Sequence, residues 1–106
     1  MLGNGLHLVI DGETAAPLAV GRVERFLRHF PAYIGMRRFT PPMICQNDDG
    51  WSALVGIVES HCSVHSRGTL IWVDIFSCGY MNTEQATSGV VRLLRLPQYR
   101  AKVLQR

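Results

Sequence analysis

Apolar residues recur with clear periods in the first half of the chain. Residues 6–12 (LHLVIDG) are β-branched and apolar and end with Asp-Gly, which predicts a strand. Residues 17–30 place apolar side chains at helical spacing and arginines on the opposite side. This pattern predicts a helix with Pro17 in its first turn, ended by Pro31.

Turn-forming and apolar residues alternate through the middle of the chain. Residues 42–46 predict a short strand, and residues 47–50 (NDDG) predict the turn that follows it. The apolar runs 51–60 and 69–78 predict two longer strands. The connection between them ends in Ser-Arg-Gly at 66–68, which predicts that these two strands pair as a hairpin.

The last third of the chain predicts a helix and a strand. Asn82, with Gln85 three positions later, is typical of a helix start, so we expect a helix over 83–95 that Pro97 stops. Residues 100–105 predict a final strand. The order β-α-β-β-β-α-β indicates an α/β two-layer sandwich of the α+β type. Its antiparallel-rich sheet would carry both helices on one face.

The size and apolar content of the chain bear on its assembly. Its 106 residues fit one domain, 1–106. An apolar share of 47% is high for so small a chain, and large apolar patches rarely stay exposed. We therefore expect a homodimer or higher homo-oligomer that covers the second face of the sheet. A monomer with an unusually apolar surface is the alternative.

The composition also limits where the protein acts and what it binds. No apolar run approaches the roughly 18–20 residues of a membrane span, and the first residues do not resemble a signal peptide. We expect a cytoplasmic protein with no membrane contact and, from its odd count of three cysteines, free thiols. After Glu84 every charged residue is basic, which can indicate a nucleic-acid-binding module. Only Tyr99 accompanies those charges, so a solvated face without a nucleic-acid partner is the preferred interpretation.

Reactive side chains crowd into residues 59–65 (ESHCSVH). Zinc binding is disfavoured: His61 and His65 would point to one side of a strand and Cys62 to the other, so no metal site is expected. Hydrolase chemistry lacks a Gly-x-Ser-x-Gly elbow. A dyad of Cys78 and His65 could support thiol chemistry if the fold joined them. For Cys45 and Cys62, the expectation is a small buried apolar side chain.

Three segments together resemble one family. The run Glu-Ser-His-Cys-Ser-Val-His (59–65), the run Asp-Ile-Phe-Ser-Cys-Gly (74–79) and the opening Gly-Leu-His-Leu (5–8) are similar to the motifs of prokaryotic S-adenosylmethionine decarboxylases. Those proenzymes carry Glu-Ser-His-x-Ser/Thr-Ile/Val-His followed by Asp-x-Phe-Thr/Ser-Cys-Gly. The resemblance spans nearly the whole chain, and the family's element order matches the predicted one.

The resemblance implies a protein that makes its own cofactor. The Ser60 hydroxyl would attack the carbonyl of Glu59, and β-elimination would yield chains 1–59 and 60–106 with a pyruvoyl group at residue 60. The small-molecule substrate would form a Schiff base with that group, which serves as electron sink. The decarboxylated product would supply aminopropyl groups for polyamine (spermidine) biosynthesis.

The resemblance also implies roles for three further residues. His65 would be the base in processing, since an imidazole works near neutral pH. Cys78 would return a proton after decarboxylation. Ser52 matches a family serine that assists processing, although a strand-surface hydroxyl is an equal interpretation. The family's active sites lie near a dimer interface, which agrees with the expected homodimer.

Two departures from the family leave the substrate open. The family's Thr-Trp-Pro-Glu segment, whose glutamate holds the ribose, is replaced by Ser-Arg-Gly-Thr at 66–69. Where the family places an aromatic residue for adenine stacking, this chain has QNDDGW (46–51), in which only Trp51 could substitute and is out of register. Asp48 and Asp49 could instead meet a cationic group, or serve only as turn residues. Arginine or ornithine is therefore an alternative substrate, and a non-catalytic binding domain that kept the fold is an alternative function.

Overall fold

A computed structural model describes residues 5–106. Residues 1–4, on which the expectation of no signal peptide partly rests, lie outside the described residues. The elements are β1 (Leu6–Glu13), α1 (Val20–Tyr33), β2 (Met43–Asn47), β3 (Gly50–Ile57), β4 (Ser60–Arg67), β5 (Leu70–Ser77), α2 (Thr83–Leu94) and β6 (Gln98–Gln105). The strands form one sheet in the order β2-β3-β4-β5-β1-β6. All neighbouring strands are antiparallel.

The predicted class, two helices on an antiparallel sheet, is confirmed, but the predicted order has one strand too few. Residues 61–68 were expected to connect two strands, but residues 60–67 form a further strand, β4, between β3 and β5. The predicted hairpin between 51–60 and 69–78 is therefore wrong, because β4 separates these segments. Cys62, Val64 and Ser66 are buried while His61 and His65 are exposed, which is the alternation of a half-buried strand. The polar composition of this segment concealed that period.

The hydrophobic core lies between the sheet and the two helices. The four strands β3, β4, β5 and β1 direct every second side chain towards the helices. The helices cover these side chains mainly with Val23, Phe26, Leu27, Phe30 and Val90. The rings of Phe26 and Phe30 stack at a centroid distance of 5.0 Å. Full burial of an aliphatic or aromatic side chain contributes about 1.5–3 kcal/mol, so this layer supplies the main driving force for folding.

The helix boundaries differ from the prediction at α1. This helix begins at Val20, three residues after Pro17, and runs through Pro31 to Tyr33. Proline removes one helical hydrogen bond, but Pro31 is buried in the core, and the amide of Ile34 closes the last turn on the Phe30 carbonyl at 3.3 Å. Burial of this turn therefore holds it helical despite the proline.

The boundaries of α2 and β6 are close to those predicted. Asn82 caps α2 by accepting a hydrogen bond from the Gln85 amide at 3.0 Å, as expected. The Gln85 side chain does not return to Asn82 and instead donates to the Tyr33 carbonyl at 3.1 Å, which ties α2 to α1. The strand β6 begins at residue 98, two residues earlier than predicted, because it pairs with the whole of β1.

The second face of the sheet is not covered by either helix. This open face carries both polar and apolar side chains, among them His7, Val9, Ser52, Leu54, His61, His65, Trp72, Asp74 and Phe76. Most are half-buried by their neighbours within the sheet, and Leu54 is exposed. The expected homo-oligomer at this face stays a prediction. No helix in residues 5–106 is both long and apolar enough to span a membrane.

Candidate active site

The motif residues Glu59 and Ser60 lie in a tight turn between β3 and β4. Ile57 pairs with Ser60 across the two strands, so only Val58 and Glu59 form the connection. The backbone of Glu59 has a φ of +66°. A positive φ places Cβ close to the backbone and is uncommon for any residue except glycine, asparagine and aspartate.

The carbonyl of Glu59 accepts hydrogen bonds from one residue of a distant segment. The backbone amide of Cys78 donates to Glu59 O at 2.8 Å, and the Cys78 thiol donates to the same oxygen at 2.8 Å. Two donors at a carbonyl oxygen withdraw electron density and can stabilise an oxyanion that develops there. The structure thus brings together Glu59 and Cys78, which are nineteen positions apart.

Ser60 is the first residue of β4 and is half-buried. Its side chain lies on the helix side of the sheet, as do Cys62 and Val64, and its hydroxyl donates to the thioether of Met36 at 3.5 Å. A thioether is a weak acceptor, so the hydroxyl is lightly held. It is therefore free to turn towards the carbonyl that directly precedes it in the chain.

His65 lies at the opposite end of β4. It pairs with Ser52 on β3 and Trp72 on β5, and its side chain is exposed on the open face. It is five positions along the extended strand from Ser60, about 17 Å at 3.3 Å per residue. Within one chain the structure therefore does not bring His65 to Ser60 or to Cys78, and the considered Cys78–His65 dyad does not form.

A cleft of about 380 Å³ opens beside His65. It is lined by Asn47, Asp48, Asp49, Ser52, His65, Ser66, Arg67 and Trp72. The amide side chain of Asn47 donates to Ser52 Oγ at 3.3 Å, and the amide of Gly68 donates to the Asp49 carbonyl at 2.8 Å. The first bond ties the turn 47–50 to β3, and the second ties it to the β4–β5 turn. Asp48 and Asp49 thus line the same cleft as Ser52 and His65.

Chemically, this cleft suits a cationic or nucleoside-like group. Its carboxylates can accept hydrogen bonds from hydroxyl or ammonium groups, and the half-buried indole of Trp72 offers an aromatic surface. Of the sequence-predicted residues, the structure thus separates two sets. Glu59, Ser60 and Cys78 lie at one end of the sheet, while Ser52, His65, Asp48 and Asp49 lie at the other.

Several residues near the Glu59–Ser60 turn were not anticipated. The segment after α1 supplies Met36 and the carbonyl of Arg37, which accepts from the Val58 amide at 2.8 Å. On the open face, His7 Nε2 and Asp74 Oδ1 lie 3.0 Å apart. Both of these residues belong to the motif segments, which could have drawn attention to them. The segment after α1 has no periodicity that could have indicated its role.

The three cysteines have different environments. Cys62 is fully buried, as expected, and burial, assisted by the negative charge of Asp74, raises the pKa of its thiol well above the usual range. Cys45 was also expected to be buried, and this prediction is wrong: it is exposed on the edge strand β2. In residues 5–106, no group of three His, Cys, Asp or Glu side chains could hold a metal ion.

Two comparisons with known proteins find adenosylmethionine decarboxylases. A family model described as S-adenosylmethionine decarboxylase matches residues 6–106. Among solved structures, the adenosylmethionine decarboxylase from Aquifex aeolicus VF5 is similar, with a TM-score of 0.81, 19% sequence identity, and coverage of 100% of this chain and 92% of that chain. At this identity the likeness shows a shared fold. A comparison with curated protein sequences finds no match.

Proposed function

Because the chain belongs to the S-adenosylmethionine decarboxylase family, we propose that it is a self-cleaving, pyruvoyl-dependent decarboxylase that acts on S-adenosylmethionine. The observation that carries this proposal is the Glu59 carbonyl. It directly precedes the Ser60 hydroxyl and accepts hydrogen bonds from both the amide and the thiol of Cys78. A nucleophile, an electrophile and oxyanion donors are thus grouped at one peptide bond.

The proposed cleavage starts when Ser60 Oγ adds to the carbonyl carbon of Glu59. The negative charge that develops on the carbonyl oxygen is stabilised by the two Cys78 donors. The bond between the Glu59 carbon and the Ser60 nitrogen then breaks, and the hydroxyl proton ends on that nitrogen. The result is an ester between Glu59 and the Ser60 side chain.

The second stage removes the α-proton of residue 60 and breaks its Cβ–Oγ bond. Chain 1–59 leaves with a free carboxylate at Glu59, and water then releases ammonia from residue 60, which leaves a pyruvoyl group on chain 60–106. This group supplies the electron sink for decarboxylation. Cys78, already within reach of the turn, is the proposed donor that returns a proton to the product.

The α-proton needs a base, and His65 of the same chain is about 17 Å away along β4. We therefore propose a homodimer in which the open faces of two sheets pack together. If the two-fold axis lies between the sheets and runs across the strands, it reverses the strand direction. The partner's His65 end then lies against the Glu59–Ser60 end. In this arrangement the partner also supplies Ser52 and the cleft.

The composition of the open face supports this assembly. Val9, Leu54, Trp72 and Phe76 expose apolar surface there, and a face-to-face packing of two sheets would remove it from water. Each active site would then combine the cleavage residues of one chain with the base and the cleft of the other.

The cleft is the proposed binding site for the substrate. S-adenosylmethionine carries a sulfonium, an ammonium and a ribose with two hydroxyls, which Asp48 and Asp49 could contact, while the indole of Trp72 could pack against adenine. Arginine and ornithine are cationic as well and stay the alternative substrates. With S-adenosylmethionine as substrate, the product would serve as aminopropyl donor for spermidine synthesis.

Denaturing mass spectrometry of freshly purified protein tests the proposal. Incubation at neutral pH should convert the intact chain into fragments 1–59 and 60–106, and a carbonyl-specific reagent should label only the second fragment. Ser60→Ala should stay intact, whereas the matched control Ser63→Ala, from the same strand, should cleave. Assays with S-adenosylmethionine, arginine and ornithine then identify the substrate. A wild-type chain that never cleaves would contradict the proposal and favour a non-catalytic binding domain.

A further inference from the structure

We propose that the left-handed backbone of Glu59 is strain that drives its own peptide bond towards cleavage, which makes Glu59 a positioning residue for the reaction. This inference rests on the proposed self-cleavage. It goes beyond the identity of the nucleophile, because it concerns the energy of the bond before any catalytic group acts.

Glu59 is not a residue type that favours a positive φ. In residues 5–106 it shares this conformation with one other non-glycine residue, Arg95, whose φ is +55°. Arg95 follows the last turn of α2, where a left-handed residue commonly ends a helix, and the next amide bonds back to the Val91 carbonyl at 3.0 Å. Glu59 sits instead in a hairpin turn, where glycine or asparagine normally takes the position with positive φ.

Contacts on both sides hold the turn in this conformation. The amide of Val58 is bonded to Arg37, and the carbonyl of Glu59 is bonded twice to Cys78. Arg38 also forms a bridge with Ile57, and Ser60 pairs with Ser77 on β5. Glu59 could relax only if several of these bonds broke. Strained residues persist in proteins under this condition, when the surrounding structure over-determines them.

Cleavage chemistry would release the strain. In the amide, the Glu59 carbon is bonded to the Ser60 nitrogen, which is bonded to Cα. In the ester, that link passes through Oγ and Cβ, so the connection between the two residues gains one atom. A longer connection uncouples Glu59 from the strand pairing of Ser60 with Ser77, so the φ of Glu59 can return to the negative range. An ester is normally less stable than an amide, and the strain offsets part of this difference.

Three substitutions at position 59 test this inference. Glu59→Ala, Glu59→Asn and Glu59→Gly all remove the carboxylate, but they tolerate a positive φ increasingly well. We expect the cleavage rate, measured by mass spectrometry over time, to fall in that order. Glu59→Gly should cleave about five- to thirtyfold more slowly than Glu59→Ala, in line with the usual penalty for this conformation.

Stability provides the second readout. In a Ser60→Ala background, in which the chain stays intact, the melting temperature should rise in the order Ala, Asn, Gly as the strain is relieved. A residue with only a structural role would move the melting temperature without an opposite change in the cleavage rate. Arg95→Gly is the matched control: it should raise the melting temperature for the same reason and leave the cleavage rate unchanged.

Val58→Gly separates strain from flexibility, because Val58 has no positive φ. If it slows cleavage as much as Glu59→Gly does, loss of rigidity explains the effect and the inference is overturned. Equal cleavage rates for the three Glu59 variants would also overturn it, while the proposed function would stand. An intact wild-type chain would overturn both.

Discussion

Ser60 and His65 lie at opposite ends of β4, and their side chains point to opposite faces of the sheet. They are neighbours in the motif, yet a fully extended strand makes them distant in space. Any reaction that needs both residues must therefore use two copies of the chain or a large rearrangement of the strand. The position of the Glu59–Ser60 turn at one end of the sheet and the uncovered sheet face favour the first explanation.

Mixing two inactive variants should restore cleavage. Ser60→Ala lacks the nucleophile and His65→Ala lacks the base. In a heterodimer, however, the Glu59–Ser60 end of one chain lies against the intact His65 of the other. We expect the His65→Ala chain to cleave slowly alone and faster, by at least tenfold, when co-expressed with Ser60→Ala, as measured by mass spectrometry of both chains.

The control for this experiment is co-expression of His65→Ala with the double variant Ser60→Ala/His65→Ala, which provides no histidine. If the His65→Ala chain cleaves equally well with either partner, then His65 does not act across the interface.

Substitution of Cys78 should affect cleavage and decarboxylation differently. Cys78→Ala removes the thiol donor at Glu59 O but leaves the backbone amide. Cleavage should therefore slow by about tenfold. This loss is smaller than that for a strong oxyanion donor, because a thiol is a weak donor. Cys78→Ser keeps a donor and should cleave near the wild-type rate. Once cleaved, however, it should decarboxylate slowly, since a serine hydroxyl is a poorer acid. Cys45→Ala, at an exposed thiol far along the sheet, should change neither step.

Asp49 should contribute to substrate binding rather than to cleavage. Asp49→Asn removes one negative charge from the cleft beside Trp72 while keeping the size of the side chain. We expect KM for the cationic substrate to rise about tenfold with kcat nearly unchanged, and cleavage to proceed normally. Glu84→Gln, at an exposed carboxylate on α2, is the charge-matched control. An unchanged KM would show that Asp48 and Asp49 are only turn residues.

The buried Cys62 thiol should make the fold sensitive to alkaline pH. Its pKa in the folded protein is raised by burial and by Asp74, so the folded state keeps the proton that the unfolded chain releases above roughly pH 8.5. The stabilisation is therefore fully present at neutral pH and decreases as pH rises, by up to about 1.4 kcal/mol per pH unit. The free energy of unfolding, measured from pH 7 to 10.5 in a Ser60→Ala background, should fall more steeply than in Ser60→Ala/Cys62→Ala. Parallel curves would contradict this assignment.

Local patterns were enough to predict most of the fold. The signals were the helix spacing of Val23, Phe26 and Phe30 and the apolar runs of β1, β3 and β5, which arise because core-facing elements must present apolar side chains. The strand β4 was missed because its inward positions include two serines and its outward positions carry polar motif residues. The passage of α1 through Pro31 was missed because tertiary burial outweighed the proline.

The sequence by itself determined which chemistry the chain carries: a serine after a carbonyl, a thiol, an imidazole and their order are covalent facts. Only the tertiary structure decided which of these groups meet. Sheet pairing between β4 and β5 brings the Cys78 thiol to Glu59 across nineteen residues, and strand extension takes His65 away from Ser60 across only five. Residues close in the chain can therefore be distant in the fold, and distant residues can be close. The reason is that the register of the strands depends jointly on all the side chains that pack against the sheet.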